Sequence, residues 1–581
     1  MQIVKKITKF LEIAPEGRNI TGRGVNPCYG RRITAEPRRG ETLFSGFFVI
    51  IAFSIVLLAA CGTHDRNHGK HVFRYNESAG IASLDPAFAR DQAMIWASQQ
   101  LFNGLIQLDT ALAVQPCIAR RWEISQDGLS YTFFLRKDVY FHRNDCFANG
   151  RRRVVADDFV YSFNRIVDEK VASPGRWIFD NVKVGSDGRY AFEAPNDTTF
   201  VVRLKQPFAP FLGMLGMPYC SVVPHEAVER YGADFRQNPV GTGPFRFQKW
   251  KEGVKLVLRR NPSYFERDGE GNRLPYLDAV AVTFIVDKQT VFLEFVKGNL
   301  DFMNSLDASY KDELLTRTGQ LREKYADRID MVSQPFLNTE YLGFLMDKSN
   351  SVLADRRVRQ AINLAFDRRK MMKYLRNNVG MPGCYGFIPA GMAGFDTTAG
   401  YEYDLPRAKQ LLAEAGYPNG KGLPTLKLST TASYLDLCKY VQQQLGLAGI
   451  NTEIDVNPPG ALREQIAQSK VGWFRGSWIA DYPDAENYLS LFYSKNFCPQ
   501  GPNYTHFSST EFDRLYLLSK AETDDSARAE MYRRMNDIIV EEAPVVVLYY
   551  DQILHFTHKN VRGLRSNAMN ALDLRRVTIK N

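Results

Sequence analysis

The chain has 581 residues, 45% of them hydrophobic and 24% charged, which excludes a disordered chain, a collagen-like repeat and a multi-span membrane protein. That length corresponds to about three to four domain-sized units. The net charge of +10 divides unevenly, because residues 1–60 carry nine Lys/Arg against four Asp/Glu and the rest hold 65 basic against 60 acidic side chains. Nucleic-acid binding needs a concentrated basic patch, and this balance does not supply one.

Residues 42–60 carry no charge, and 43–58 are strongly apolar behind Arg31, Arg32, Arg38 and Arg39. A positive region followed by an apolar run is the layout of a secretory signal. The run ends in Leu58-Ala59-Ala60-Cys61-Gly62, which resembles a bacterial lipobox, so Cys61 is the expected lipidated first residue of the mature protein. An uncleaved single-span anchor is the alternative, since the run approaches bilayer-crossing length. Either reading puts the remaining chain outside the cytoplasm and tethered to a membrane. The forty residues ahead of the run exceed an ordinary signal, and the expectation is a later translation start.

Beyond Cys61 lie Cys117, Cys146, Cys220, Cys384, Cys438 and Cys498, widely spaced and with no C-x-x-C pair. In an oxidising compartment they can pair or stay buried as free thiols, and both readings stand. Residues 62–72 are polar and read as a tether; its three histidines, His64, His68 and His71, lack the rigid frame that a metal site needs.

From residue 73 strand and helix patterns interleave. Alternating apolar positions predict strands at 131–136, 199–204 and 255–259, and helical spacing predicts helices at 160–167 and 358–375, the second capped by Asp355. A short helix is expected over 406–416, with Pro near its start and Gly at its end. Interleaving of this kind indicates an α/β protein with more than one lobe.

Catalytic constellations are scarce. No G-x-S-x-G elbow or H-E-x-x-H helix occurs, and Gly416-Tyr-Pro-Asn-Gly-Lys-Gly422 is one residue short of a phosphate loop. Asp157 and Asp158 fit a helix start, where carboxylates meet the positive helix end. Arg151, Arg152 and Arg153 read as a solvated turn. The unusual stretch is 472–493, where Trp473, Trp478, Tyr482, Tyr488 and Tyr493 stand among Arg475, Asp481, Asp484 and Glu486. Aromatic walls with single charges of each sign suit a polar or zwitterionic ligand.

Seven blocks in order carry a resemblance. They are Ala156-Asp-Asp-Phe-Val-Tyr-Ser-Phe-Asn-Arg165 with Ala172-Ser-Pro174; Gly241-Thr-Gly-Pro-Phe-Arg-Phe with Trp250; Arg260-Asn-Pro-Ser-Tyr-Phe; Gly298-Asn-Leu-Asp301; Asp355-Arg-Arg-Val-Arg-Gln-Ala-Ile; Ala413-Glu-Ala-Gly-Tyr-Pro; and Ala480-Asp-Tyr-Pro-Asp484. The chain resembles the extracytoplasmic solute-binding proteins of ABC transporters, family 5, the dipeptide and oligopeptide group.

That resemblance implies a two-lobed periplasmic-binding-protein fold of type II with an extra subdomain and the ligand cleft between the lobes. The boundaries it implies are 73–105, 222–336 and 548–581 for the first lobe, 106–221 for the subdomain and 337–547 for the second lobe. Function is then capture of peptides for an ABC importer, with permease and ATPase as separate partners, by a monomer without cofactor, metal, nucleic acid or catalysis. Metal chelates, haem and sugars are the alternative solutes, and His506 is the metal-ligand candidate in that case. By resemblance Asp481 pairs with the peptide ammonium and Arg475 with a peptide carboxylate, an inter-strand ion pair without a ligand role being the alternative for Arg475; Trp478 and Tyr482 either line the cleft or pack in the core.

Overall fold

The computed structural model describes residues 71–304, 306–307, 309–347 and 351–580. The leader, Cys61, His64 and His68 lie outside the described residues.

Two long antiparallel strands, Ile329–Phe344 and Val545–His558, form the spine of an 11-stranded mixed sheet. Residues 329–335 of the first strand pair with 552–558 of the second, and 339–343 pair with 545–550, with register breaks between Pro335 and Thr339 and between Glu340 and Tyr341. On one side of this ribbon follow Trp473–Ile479, Leu426–Thr430 and Thr452–Val456. On the other side follow Phe302–Asn304, Val72–Asn76, Ala279–Thr283, Lys255–Arg260 and Phe245–Lys251. The run Val545–Tyr550 is buried on both faces, which is why it reads as continuous apolar sequence rather than alternation. A separate four-stranded sheet orders Ala119–Ile124, Ser130–Leu135, Thr199–Arg203 and Phe192–Asn196.

The strands at 130–135, 199–203 and 255–260 and the helix Ala156–Val167 appear where patterning put them. The helix Leu405–Glu414 starts one residue before its proline, capped by Asp404, and Gly416 follows it at φ +95°. The segment 358–375 is two helices, Arg356–Leu364 and Arg368–Leu375. Apolar spacing runs through the break, but Asp367 turns extended and accepts the Lys370 N–H, which starts a new helix. Asp355 caps the first one by accepting from Arg357 N.

The three consecutive arginines are paired rather than merely solvated. Arg152 reaches Asp158 and Glu226, each at 2.6 Å, Arg153 reaches Asp197 at 3.1 Å, and Arg151 lies over the Tyr140 ring. All six described cysteines are free thiols, five of them buried. No helix among the described residues is long and apolar enough to cross a membrane.

Two glycines, Gly243 within the block that starts at Gly241 and Gly175 just after Pro174, stand at points of close approach. A β-carbon on Gly243 would stand 2.4 Å from the Leu101 carbonyl carbon, and one on Gly175 would stand 2.5 Å from the Tyr219 ring.

Candidate functional site

The strand Trp473–Ile479 leaves the sheet beside the ribbon, and Ala480 N is held by Leu337 O at 2.9 Å. Leu337 O also accepts the Tyr488 hydroxyl at 2.6 Å, and Leu337 N donates to Ala568 O. Leu337 lies inside the register break of the ribbon, so the residues after Ala480 start from the point where the sheet changes course.

Asp481 comes next. Its side chain is exposed, yet surrounding protein displaces enough water that its carboxyl is held above the ordinary aspartate range, with a counteracting bond from Asn487. The carboxylate is thus open to solvent yet crowded by protein. Asn487 Nδ2 donates to Asp481 Oδ2 at 3.3 Å, and Asn487 Oδ1 accepts from Asp481 N at 3.2 Å and from Trp478 Nε1 at 2.9 Å. Among the described residues no cation pairs with Asp481.

A neighbour of Asp481, Tyr219, comes from the other half of the chain. Burial pushes the Tyr219 phenol up to about 12, the Asp481 carboxylate adds to the rise, and the Arg90 guanidinium opposes it. Arg90 is exposed, and its side chain has no hydrogen-bond or ion-pair partner among the described residues. The neighbouring Asp91 is used as a cap, accepting Met94 N at the start of the helix Gln92–Leu101. The turn Pro86–Phe88, just ahead of Arg90, packs against the turn Pro218–Cys220 that carries Tyr219.

Further contacts close the same seam. Tyr482 is buried, its ring 6.0 Å from Trp177 and its hydroxyl donated to Glu486. Pro483 abuts Gly213, and Ala209 N donates to Lys520 O at 3.0 Å. Tyr482 therefore packs against the opposite half of the molecule and does not offer its hydroxyl to a ligand. Trp478 is half-buried, with its indole N–H taken by Asn487.

Arg475 is committed elsewhere. It pairs with Glu340 on the neighbouring strand, both nearly buried, and its guanidinium lies 3.2 Å from the Tyr434 ring centre. Asn338 donates to Glu340 at 3.1 Å, and Arg376 pairs with Asp551 at 2.6 Å, so two cations and two anions straddle the ribbon. Arg475 Nε and Asn338 Oδ1 remain buried without a partner among the described residues. His506 does not approach this site; its ring lies on Phe497, and its Nε2 faces Cys498 and Ser469. A surface recess of about 550 Å³ lined by His71, Asp268, Tyr276 and Arg576 also lies apart from it.

Arg90, Tyr219, Asn487 and Glu340 are absent from the sequence reading. Asn487 alone had a local signal, a polar residue one helical turn past an acidic one.

Comparison with known proteins decides the family. Residues 113–497 match the family model described as bacterial extracellular solute-binding proteins, family 5. The chain belongs to that family. It is a solute-binding protein of ABC import, not an enzyme, and it works outside the cytoplasm. The glutathione-binding protein GsiB of Salmonella choleraesuis is 24% identical over 497 residues, covering 84% of this chain and 90% of that protein. HbpA2 from Haemophilus parasuis is 24% identical with a TM-score of 0.75, over 88% of this chain and 100% of its own. DppA from Helicobacter pylori, solved in complex with the peptide STSA, is 26% identical with a TM-score of 0.71, over 89% and 100%. The family 5 member thus has the two-lobed type II binding-protein fold, its sheet halves joined through the two long strands.

Proposed function

We propose that this family 5 protein captures short peptides between its lobes, tethered to the membrane by lipid on Cys61, and presents them as a monomer to an ABC permease and its ATPase. The observation that carries the peptide reading is Asp481, an exposed but desolvated carboxylate that pairs with no cation among the described residues, held in place by Asn487. A primary ammonium completes it with charge-assisted hydrogen bonds. Arg90, unpaired among the described residues, takes a ligand carboxylate as a bidentate fork. Trp478 lines the cleft. Arg475 joins as a second carboxylate contact by trading Glu340 for the ligand. The strand order supports a first lobe of 73–105, 222–336 and 548–581, a subdomain of 106–221 and a second lobe of 337–547.

The relatives' names favour small peptides, and glutathione has the ammonium and carboxylates that this pair requires. The test is calorimetry with glutathione and with di- to tetrapeptides, free and N-acetylated. Free peptides bind, acetylated ones bind at least tenfold more weakly, and Asp481→Asn removes the difference. Equal binding of both forms to the native protein would overturn the assignment of Asp481.

A further inference from the structure

Ser469 meets Cys498 and His506, two residues of one loop, in the second half of the molecule. Ser469 Oγ lies 3.0 Å from Cys498 Sγ and 3.1 Å from His506 Nε2, and Cys498 Sγ lies 3.4 Å from His506 Nε2. Three different donor atoms therefore form a triangle with edges of 3.0–3.4 Å. A tetrahedral ion bound at about 2.3 Å from sulfur and about 2.0–2.1 Å from nitrogen and oxygen needs donor separations of roughly 3.3–3.6 Å. The two edges at His506 come within about 0.3 Å of that, and the Ser469–Cys498 edge opens by about half an ångström to reach it.

The elements around it hold the donors in place. Ser469 follows the helix Pro459–Ala467 at φ +56°, and His506 sits at φ +53°, left-handed conformations that a residue with a β-carbon adopts only under constraint. Phe497 stacks on the imidazole at 4.7 Å and 13°, fixing its plane, and Cys498 is 4% exposed. Among the described residues no three His, Cys, Asp or Glu side chains converge on a metal position, so the Ser469 hydroxyl is what raises this pair to a three-donor set.

We infer that Cys498, His506 and Ser469 form a binding site for one borderline-soft divalent cation of the Zn²⁺ type, separate from the ligand cleft. Thiolate and imidazole are the donors that such ions prefer, and the hydroxyl leaves a fourth position for water. Binding releases the thiol proton and ties the turn after the helix Pro459–Ala467 to the loop 497–507.

The experiment is Zn²⁺ titration of the reduced full chain in detergent, read by native mass spectrometry and by thermal melting. One Zn²⁺ is expected per chain, with a melting temperature that rises with Zn²⁺ concentration. Cys498→Ser and His506→Gln each weaken uptake at least tenfold and abolish the rise, and Ser469→Ala weakens it less. Should Cys498→Ser fail to fold, Cd²⁺ titration of the native chain supplies the second measurement: a thiolate-to-metal ultraviolet band appears and is lost in His506→Gln. No Zn²⁺ uptake, or equal uptake and an equal Cd²⁺ band in native and His506→Gln protein, overturns the site.

Discussion

Asn487 gives its amide N–H to the Asp481 carboxylate at 3.3 Å and takes the Asp481 backbone N–H at 3.2 Å, so one side chain fixes both ends of the residue proposed to hold the ligand ammonium. Asn487 is itself buried and also accepts the Trp478 indole. Replacing it with Leu removes the orientation without removing the charge. Asn487→Leu is expected to weaken free-amine peptides about tenfold and Asp481→Asn about a hundredfold, from charge-assisted bonds of about 1.5–3 kcal/mol. Calorimetry on both variants checks this, and an Asn487→Leu protein that binds like the native one would show that the turn holds Asp481 unaided.

Peptide affinity depends on pH through the same carboxylate. Burial raises the Asp481 pKa in the empty protein, so the ionised form carries a cost that is absent at low pH and present once the pH exceeds its folded value. A ligand ammonium favours the ionised form and lowers that pKa on binding. Affinity for free-amine peptides therefore falls as pH drops through the raised value, by up to about tenfold per pH unit. N-acetylated peptides show no such fall. Calorimetry between pH 4 and 7 with the two ligand forms separates these outcomes.

How legible this was in the sequence varied with distance. The helix start at Asp355 was readable because a cap acts within three residues, whereas the helix capped by Asp404 was marked in the sequence by its proline and glycine. The break at Asp367 was hidden, since the apolar positions of both helices share one spacing and only the cap marks the interruption. Asp481 was reached through its motif, but its desolvation and its approach to Tyr219 arise only in the folded chain. For Arg475 a ligand carboxylate and an inter-strand ion pair both stood open, because its partner, Glu340, lies 135 residues away and is placed by strand register alone.

That buried pair makes its own prediction. Removing one partner of a buried ion pair leaves the other uncompensated, at a cost of about 3–5 kcal/mol. Glu340→Gln is expected to lower the melting temperature by several degrees, and Glu340→Gln with Arg475→Met to recover most of it. If Arg475 also meets ligand carboxylate, Glu340→Gln tightens binding of free-acid peptides relative to C-amidated ones. An unchanged ratio would confine Arg475 to the sheet.

Acid sensitivity is expected from two buried imidazoles. His142 accepts the Gly241 N–H at Nδ1 and faces Gly243 O at 3.0 Å with Nε2, an arrangement that requires the neutral ring with its proton on Nε2. His555 is buried beside Phe302 and faces Asn570 Oδ1 at 3.0 Å. Burial lowers both to about 4. In the unfolded chain they titrate near the ordinary histidine value of about 6.5. The unfolded state therefore binds more protons between these values, and stability present above pH 6.5 is lost as pH falls toward 4, by about 3 kcal/mol for each histidine. His142→Asn keeps one donor and one acceptor but cannot take up the proton. Urea unfolding between pH 4 and 7 should show a shallower decline for this variant than for the native protein, and identical declines would mean that His142 takes up its proton alike in the folded and unfolded chain.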